Sequence, residues 1–173
     1  MKAVVQRVVD ASVSVDDNII GQIDSGLLVY LGVAVDDAKK DADWLAEKIP
    51  NLRILNDNEG VMNLSLIDKK NHSSVLSVSS PDYSRVVRSV VNKKIGILIV
   101  SQFTLLADAS KGRRPSWNNA APPEKAKELY EYFVTKIKEQ GVFCQTGEFQ
   151  TMMKVKYTND GPVTILLDTS DKY

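Results

Sequence analysis

The sequence predicts an α+β fold in a single compact domain, on three observations. β-branched residues recur between turn signals through the first third of the chain, two later stretches carry apolar residues at helical spacing, and further strand-like segments close the chain. With 173 residues, 43% of them hydrophobic and 25% charged, there is apolar material for one core and hardly for two. The 22 Lys+Arg balance the 22 Asp+Glu. No global field gathers a polyanion, so any nucleic-acid contact has to use a local patch.

Taken in order, residues 3–9, 12–15, 19–23 and 27–35 read as strands, with Asp16-Asp17-Asn18 and Asp24-Ser25-Gly26 as hairpin turns. Residues 37–49 read as a helix, with acids near its start, Ala38, Ala42, Leu45 and Ile49 on one face and Pro50 to stop it. Residues 56–60 form a turn, and Leu64 and Leu66 are expected in a short strand. From Ser80 as N-cap and Pro81 at the first helical position, Tyr83, Val86, Val87, Val90 and Val91 make the stripe of an amphipathic helix.

The unbroken apolar run 97–100 reads as a buried strand that delivers Ser101-Gln102-Phe103-Thr104 at its carboxyl end. After the polar loop 111–115, a helix is expected from Pro122-Pro123-Glu124 to about Gln140. Its inward residues are Ala126, Leu129, Tyr130, Phe133 and Ile137, and Gly141 ends it. Strands at 152–157 and 163–167 flank a turn at 158–162. No repeat, low-complexity tract or linker divides the chain.

Several classes of chemistry fall away at once. Cys144 is the one cysteine and His72 the one histidine, so an internal disulfide and a Cys/His zinc site cannot be assembled, and a Ser-His-Asp triad would have to include His72. No apolar run approaches the roughly 20 residues needed to span a bilayer, and Met1 to Arg7 turns polar too early for a signal peptide. A soluble, intracellular, cofactor-poor protein is expected. His72, beside Lys69-Lys70-Asn71, reads as a solvated histidine in a polar turn, and Cys144 as a small core residue.

What remains is polar chemistry at the ends of elements. Ser101, Gln102, Phe103 and Thr104 bring two hydroxyls, an amide and an aromatic ring to a strand end, which suits ligand contact, although hydroxyl capping of the strand end explains them equally simply. Lys111, Arg113 and Arg114 could neutralise phosphates or form a merely solvated loop. Gly161-Pro162 is by default a trans peptide in a turn; a cis bond there would hold two successive carbonyls in one direction, an acceptor pair suited to an ammonium group.

Together these pieces resemble the D-aminoacyl-tRNA deacylases, also called D-tyrosyl-tRNA deacylases, nearly from end to end. The matching stretches are Met1 to Val8, Gly26-Leu27-Leu28-Val29, Leu31-Gly32-Val33, Asp43-Trp44-Leu45, Asn51-Leu52-Arg53-Ile54 and Met62-Asn63-Leu64-Ser65. The family's Ser-Gln-Phe-Thr-Leu motif stands at Ser101 to Leu105. Lys111 to Ser116, Ala121-Pro122-Pro123, Gln145-Thr146-Gly147 and the Asn-x-Gly-Pro-Val-Thr motif at Asn159 to Thr164 follow in the same order.

The resemblance implies a compact α+β homodimer with a β-barrel-like core, flanking helices and active sites at the subunit interface. It implies cytoplasmic hydrolysis of the ester joining a D-amino acid, or glycine, to the 3′-terminal ribose of tRNA, with no metal and no cofactor. Gln102, Phe103 and Thr104 are then the catalytic residues. Ser101, Gly161, Pro162, Arg7 and Asn159 bind substrate, Gly161-Pro162 being cis, placed in the partner's pocket and braced by Arg7. Lys111, Arg113 and Arg114 touch tRNA. Backbone N–H groups near Phe103 and Thr104 would hold the oxyanion, and the substrate's ribose 2′-hydroxyl would help activate water; a covalent role for Thr104 ranks below this route for want of a partner base. A binding module without turnover is the rival reading. Two departures stand out: residues at about 69–95 exceed a hairpin connection and read as an inserted segment of the single domain 1–173, and Pro50 should end or kink the first helix early.

Overall fold

The computed structural model describes residues 1–73 and 94–172; the helix expected over residues 80–91 lies outside them. Two long strands begin the fold, β1 (Lys2–Val15) and β2 (Asn18–Gly32), paired antiparallel around a turn in which Asp16 and Asp17 take φ of 47° and 62°. Aspartate tolerates this left-handed geometry, which matches the twist of a tight hairpin.

Four strands were expected here, and two replace them. Val9 pairs with Ser25 and Ala11 with Ile23, so the ribbon runs on through Asp24-Ser25-Gly26 without reversing. Asp10 at φ 52° and Gly26 at φ 130° take up a kink instead. The side-chain alternation changes phase across it. Ala3 and Val5 of β1, with Leu27, Val29 and Leu31 of β2, belong to one core, whereas Ala11, Val13 and Ile23 belong to a second. Both strands change phase together, since their mutual register is unbroken across the kink while β1 slips against β7 between Val9 and Ser12, and every later apolar side chain then points to the opposite face. The sequence pattern on each side of the kink is therefore that of a separate strand, though the chain never turns.

Gly26 also meets its neighbour backbone to backbone. A Cβ there would stand 2.0 Å from the Gly96 carbonyl oxygen. Gly26→Ala is therefore expected to lower stability by about 2 kcal/mol or more, through left-handed strain and the clash together. Denaturant unfolding checks this, and an unchanged midpoint would refute it.

Strand β3 (Leu55–Asn56) pairs with β4 (Met62–Leu64) about the expected turn. Leu66, expected in a strand with Leu64, instead opens helix α2 (Leu66–Ser73). Ser65 explains the change: its hydroxyl accepts from Asp68 N at 3.1 Å while the Asp68 carboxylate accepts from Ser65 N at 2.9 Å, a reciprocal cap on the first turn. The backbone of His72 is thus helical, and the polar turn expected there is not formed.

The other helices follow expectation. Helix α1 (Lys39–Lys48) buries Ala42, Leu45 and Ala46, with Ile49 as C-cap ahead of Pro50. Ala38, expected on the buried face, is the exposed N-cap, and Pro50 ends the helix without kinking it. Helix α3 (Pro123–Glu139) buries Leu129, Tyr130, Phe133 and Ile137 and stops where Gly141, at φ 69°, donates to Lys138 O at 2.8 Å.

Strand β5 (Ile95–Ser101) lies parallel to β2, β6 (Cys144–Thr146) parallel to β5, and β7 (Lys154–Asp168) antiparallel to β1, giving the order β6-β5-β2-β1-β7. In place of the expected barrel-like core, the described residues give an open five-stranded sheet. Ile97 and Ile99 face α1 and α3 in the first core, and Leu98 and Val100 face the second, so β5 is buried on both sides as its apolar run predicts. The two final strands expected at 152–157 and 163–167 are one. Pairing passes from Val8–Asn159 to Gln6–Thr164, so residues 160–163 bulge from β7 rather than turn it back. No helix among the described residues is long and apolar enough to cross a membrane.

Candidate active site

Strand β5 ends at Ser101, and a 3-10 turn, Phe103–Leu106, follows at once. Gln102 N donates to Leu31 O at 2.8 Å, which fixes the turn to the end of β2. The first donor bonded within the turn is Leu105 N, to Gln102 O at 3.3 Å. The N–H groups of Phe103 and Thr104 precede it and have no acceptor inside the turn. The side-chain amide of Gln102 donates to the Thr104 hydroxyl oxygen.

These residues form one wall of a cavity of about 720 Å³. Leu31 of β2, Val33 just beyond it, Ala126 and Tyr130 of α3, and Phe149, Met152 and Met153 line the rest of it. Tyr130 is pinned by its hydroxyl, which donates to Ile99 O at 2.9 Å, and its ring lies 5.9 Å from that of Phe149. Burial raises the Tyr130 phenol far above its ordinary pKa, so it is a fixed donor. Among the described residues, no carboxylate, imidazole, amine or thiol lines the cavity. Cys144 is half-buried against the first core, and burial pushes its thiol up to about 11; it is protonated at neutral pH, as a structural cysteine should be.

The segment 149–153 was not singled out from the sequence. Met152 and Met153 were expected to open the strand 152–157, but β7 begins at Lys154 and both stay in the preceding loop, Met152 91% exposed.

The bulge of β7 forms a second constellation. Gly161-Pro162 is cis and exposed, with Gly161 at φ 134°. Buried Arg7 reaches it from β1: Nε donates to Asp160 O at 2.9 Å, and one terminal nitrogen donates to Ile54 O at 3.0 Å and Asn56 Oδ1 at 2.9 Å. Asn159 closes the bulge, its Oδ1 accepting from Val163 N at 2.9 Å and its Nδ2 donating to Thr164 Oγ1 at 3.1 Å. Gln6 Nε2 donates to that same hydroxyl at 3.1 Å. None of residues 159–164 lines the cavity of its own chain. The structure thus brings Ser101 to Thr104 together in one place, and Arg7, Asn159, Gly161 and Pro162 in another.

Lys111, Arg113 and Arg114 stand on a third feature, the exposed loop 109–115 closed by the antiparallel bridge Asp108–Ser116. They make no ion pair among the described residues.

Comparison with known proteins places these features in a family. The family model described as D-Tyr-tRNA(Tyr) deacylase matches residues 4–82 and 76–168. A D-aminoacyl-tRNA deacylase from Kosmotoga olearia is 50% identical over the whole of both chains. One from Thermosipho melanesiensis is 52% identical over 98% of this chain and 97% of its own. A solved structure titled c-Myc DNA Unwinding Element Binding Protein superposes with a TM-score of 0.79 at 34% identity, covering 98% of this chain and 99% of that one.

Proposed function

This chain belongs to the D-Tyr-tRNA(Tyr) deacylase family, and from that premise we propose that it hydrolyses D-aminoacyl-tRNA in the cytoplasm, as a chiral proofreading step of translation. One observation carries the chemistry. The described residues lining the cavity at the end of β5 bring backbone donors and neutral side chains but, apart from the fixed phenol of Tyr130, nothing that titrates. Such a site suits an ester already activated by its own alcohol. Water adds to the carbonyl carbon, helped by the ribose 2′-hydroxyl beside the ester. The N–H groups of Phe103 and Thr104 hold the oxyanion, and the ester C–O bond breaks to leave the protonated 3′-hydroxyl of tRNA and a free D-amino acid. No metal or cofactor takes part in this route. Thr104 serves poorly as a covalent nucleophile, since its hydroxyl is tied to Gln102 and no base lines the cavity among the described residues.

Ser101 lines the pocket for the terminal adenosine, and stereochemical choice falls to the β7 bulge. Gly161 and Pro162 are exposed yet absent from their own cavity, which fits insertion into the pocket of a second subunit in a homodimer whose sheets together make the barrel-like core. Carbonyls there accept from the substrate ammonium, and the surrounding backbone leaves no room for an L side chain. Glycine, with no side chain to exclude, passes the same filter and is hydrolysed too. The whole chain, residues 1–173, forms one deacylase domain.

Incubating the protein with D-tyrosyl-tRNA and L-tyrosyl-tRNA in the presence of a chelator tests the reaction. Selective release of the D-amino acid is expected, and equal rates for the two would overturn it. The pH dependence is a second check. With no described group of the cavity titrating near neutrality, log kcat/KM is expected to rise with pH from about 6 and to level off where the substrate ammonium loses its proton, at about 7.7–8.0 for an α-amino group; a break well below that pH would demand a titrating protein group.

Lys111, Arg113 and Arg114 supply phosphate contacts on a chain with no net positive charge. Replacing all three by alanine should weaken binding of every tRNA alike and flatten the salt dependence by roughly 0.7–0.9 in log–log slope for each phosphate no longer neutralised. An unchanged slope would leave the loop merely solvated.

A further inference from the structure

Phe103 lies on the cavity wall, 58% exposed, and Trp117, outside the cavity, is 41% exposed with its ring 5.2 Å from that of Phe103 at 70°. We propose that this pair is a stacking platform for the nucleotide immediately upstream of the terminal adenosine, in the single-stranded 3′ end of the tRNA. The proposal rests on the deacylase reading and adds a binding subsite to it.

Two large aromatic side chains left 58% and 41% exposed side by side are unusual on a chain that buries Phe133 and Tyr130 fully or nearly so. Their setting is rigid. Ser116 and Asp108 exchange two backbone hydrogen bonds of 2.9 Å just before Trp117, Trp117 O accepts from Ala120 N at 2.9 Å, and Asn119 O accepts from Val35 N at 3.0 Å. The tryptophan is therefore carried on a strap fixed at both ends.

The order of features along the chain's surface also matches the order of groups along the substrate. The neutral cavity takes the ester and terminal nucleoside. Phe103 stands at its wall, Trp117 lies next to Phe103, and the loop with Lys111, Arg113 and Arg114 springs from the same Asp108–Ser116 bridge that holds Trp117. A base leaving the cavity thus finds a π-face, and the phosphates beside it find the cations of the loop. Stacking tolerates any base. A purely structural Trp117 would instead hold Phe103 in place for the reaction.

The test compares two substrates that share the ester: D-tyrosyl-tRNA and D-tyrosyl-adenosine, which has no upstream nucleotide. Trp117→Ala is expected to raise KM for the tRNA about 5- to 30-fold with kcat nearly unchanged, and to leave kcat/KM for D-tyrosyl-adenosine within twofold. Trp117→Phe should recover most of the tRNA affinity, which would show that the alanine variant lacks the ring and not the fold. Equal losses on both substrates would make Trp117 a buttress for Phe103 and overturn the platform, as would an unchanged KM for the tRNA. Wild-type protein that hydrolyses neither substrate would overturn the deacylase reading itself, a result distinct from either of these.

Discussion

Gly161→Ala is expected to lower kcat/KM on D-aminoacyl-tRNA by about 10²-fold or more while the protein stays folded. Gly161 holds φ 134°, a region that L side chains rarely adopt, and a Cβ there would stand 2.8 Å from Val163 Cγ2 and 3.0 Å from an Arg7 terminal nitrogen. The bulge must shift to relieve both clashes. A displacement near 1 Å at a substrate-positioning element is enough to cost about 10²-fold. The loss of stability should stay within about 1–3 kcal/mol, the strain of one such position, because the residue is exposed, and that leaves the protein folded. Steady-state deacylation of D-tyrosyl-tRNA, read beside a circular-dichroism melt, separates the two effects. A variant with wild-type turnover would remove Gly161 from the selection of substrate, and an unfolded one would make the bulge a structural necessity.

Reading the sequence succeeds where local chemistry and tertiary packing agree. The helix at 123–139 has its apolar stripe, its N-terminal proline and its terminal Gly141; the strand 95–101 has an apolar run too short for a helix and too continuous for a surface strand. Reading fails at the bulges. Asp10, Gly26 and the 160–163 segment carry the residues of turns, yet the chain uses their backbone freedom to bend a continuous strand, and only cross-strand pairing distinguishes the two outcomes. Leu66 fails for a smaller reason, since the Ser65–Asp68 cap outweighs an alternation of only two leucines. At the site, Ser101 to Thr104 are legible because they end a buried strand. Met152 and Met153 are not, because they read as the start of a strand and instead line the cavity from the loop before β7.

Arg7 offers the sharpest test of how the two constellations are tied together. Its ion pair with Asp160, at 3.1 Å, contributes little, because the Asp160 side chain is 51% exposed and water screens it. The hydrogen bonds to Ile54 O, Asn56 Oδ1 and Asp160 O matter more, Ile54 above all, since that residue is buried and its carbonyl would be left unmet. Arg7→Met keeps the apolar stem and removes the donors, so a loss of about 2–4 kcal/mol is expected. Arg7→Lys should restore little of it, since one ammonium cannot serve acceptors on β3 and on the bulge in the guanidinium's fixed fork. If Arg7 acts on turnover by holding the bulge, then Gly161→Ala and Arg7→Met spoil the same element by different means. Each alone should cut kcat/KM by about 10²-fold, and the double variant should be little worse than the poorer single, a coupling of about 2–3 kcal/mol by a double-mutant cycle. Losses that simply multiply would show that Arg7 supports the fold while Gly161 positions substrate independently of it.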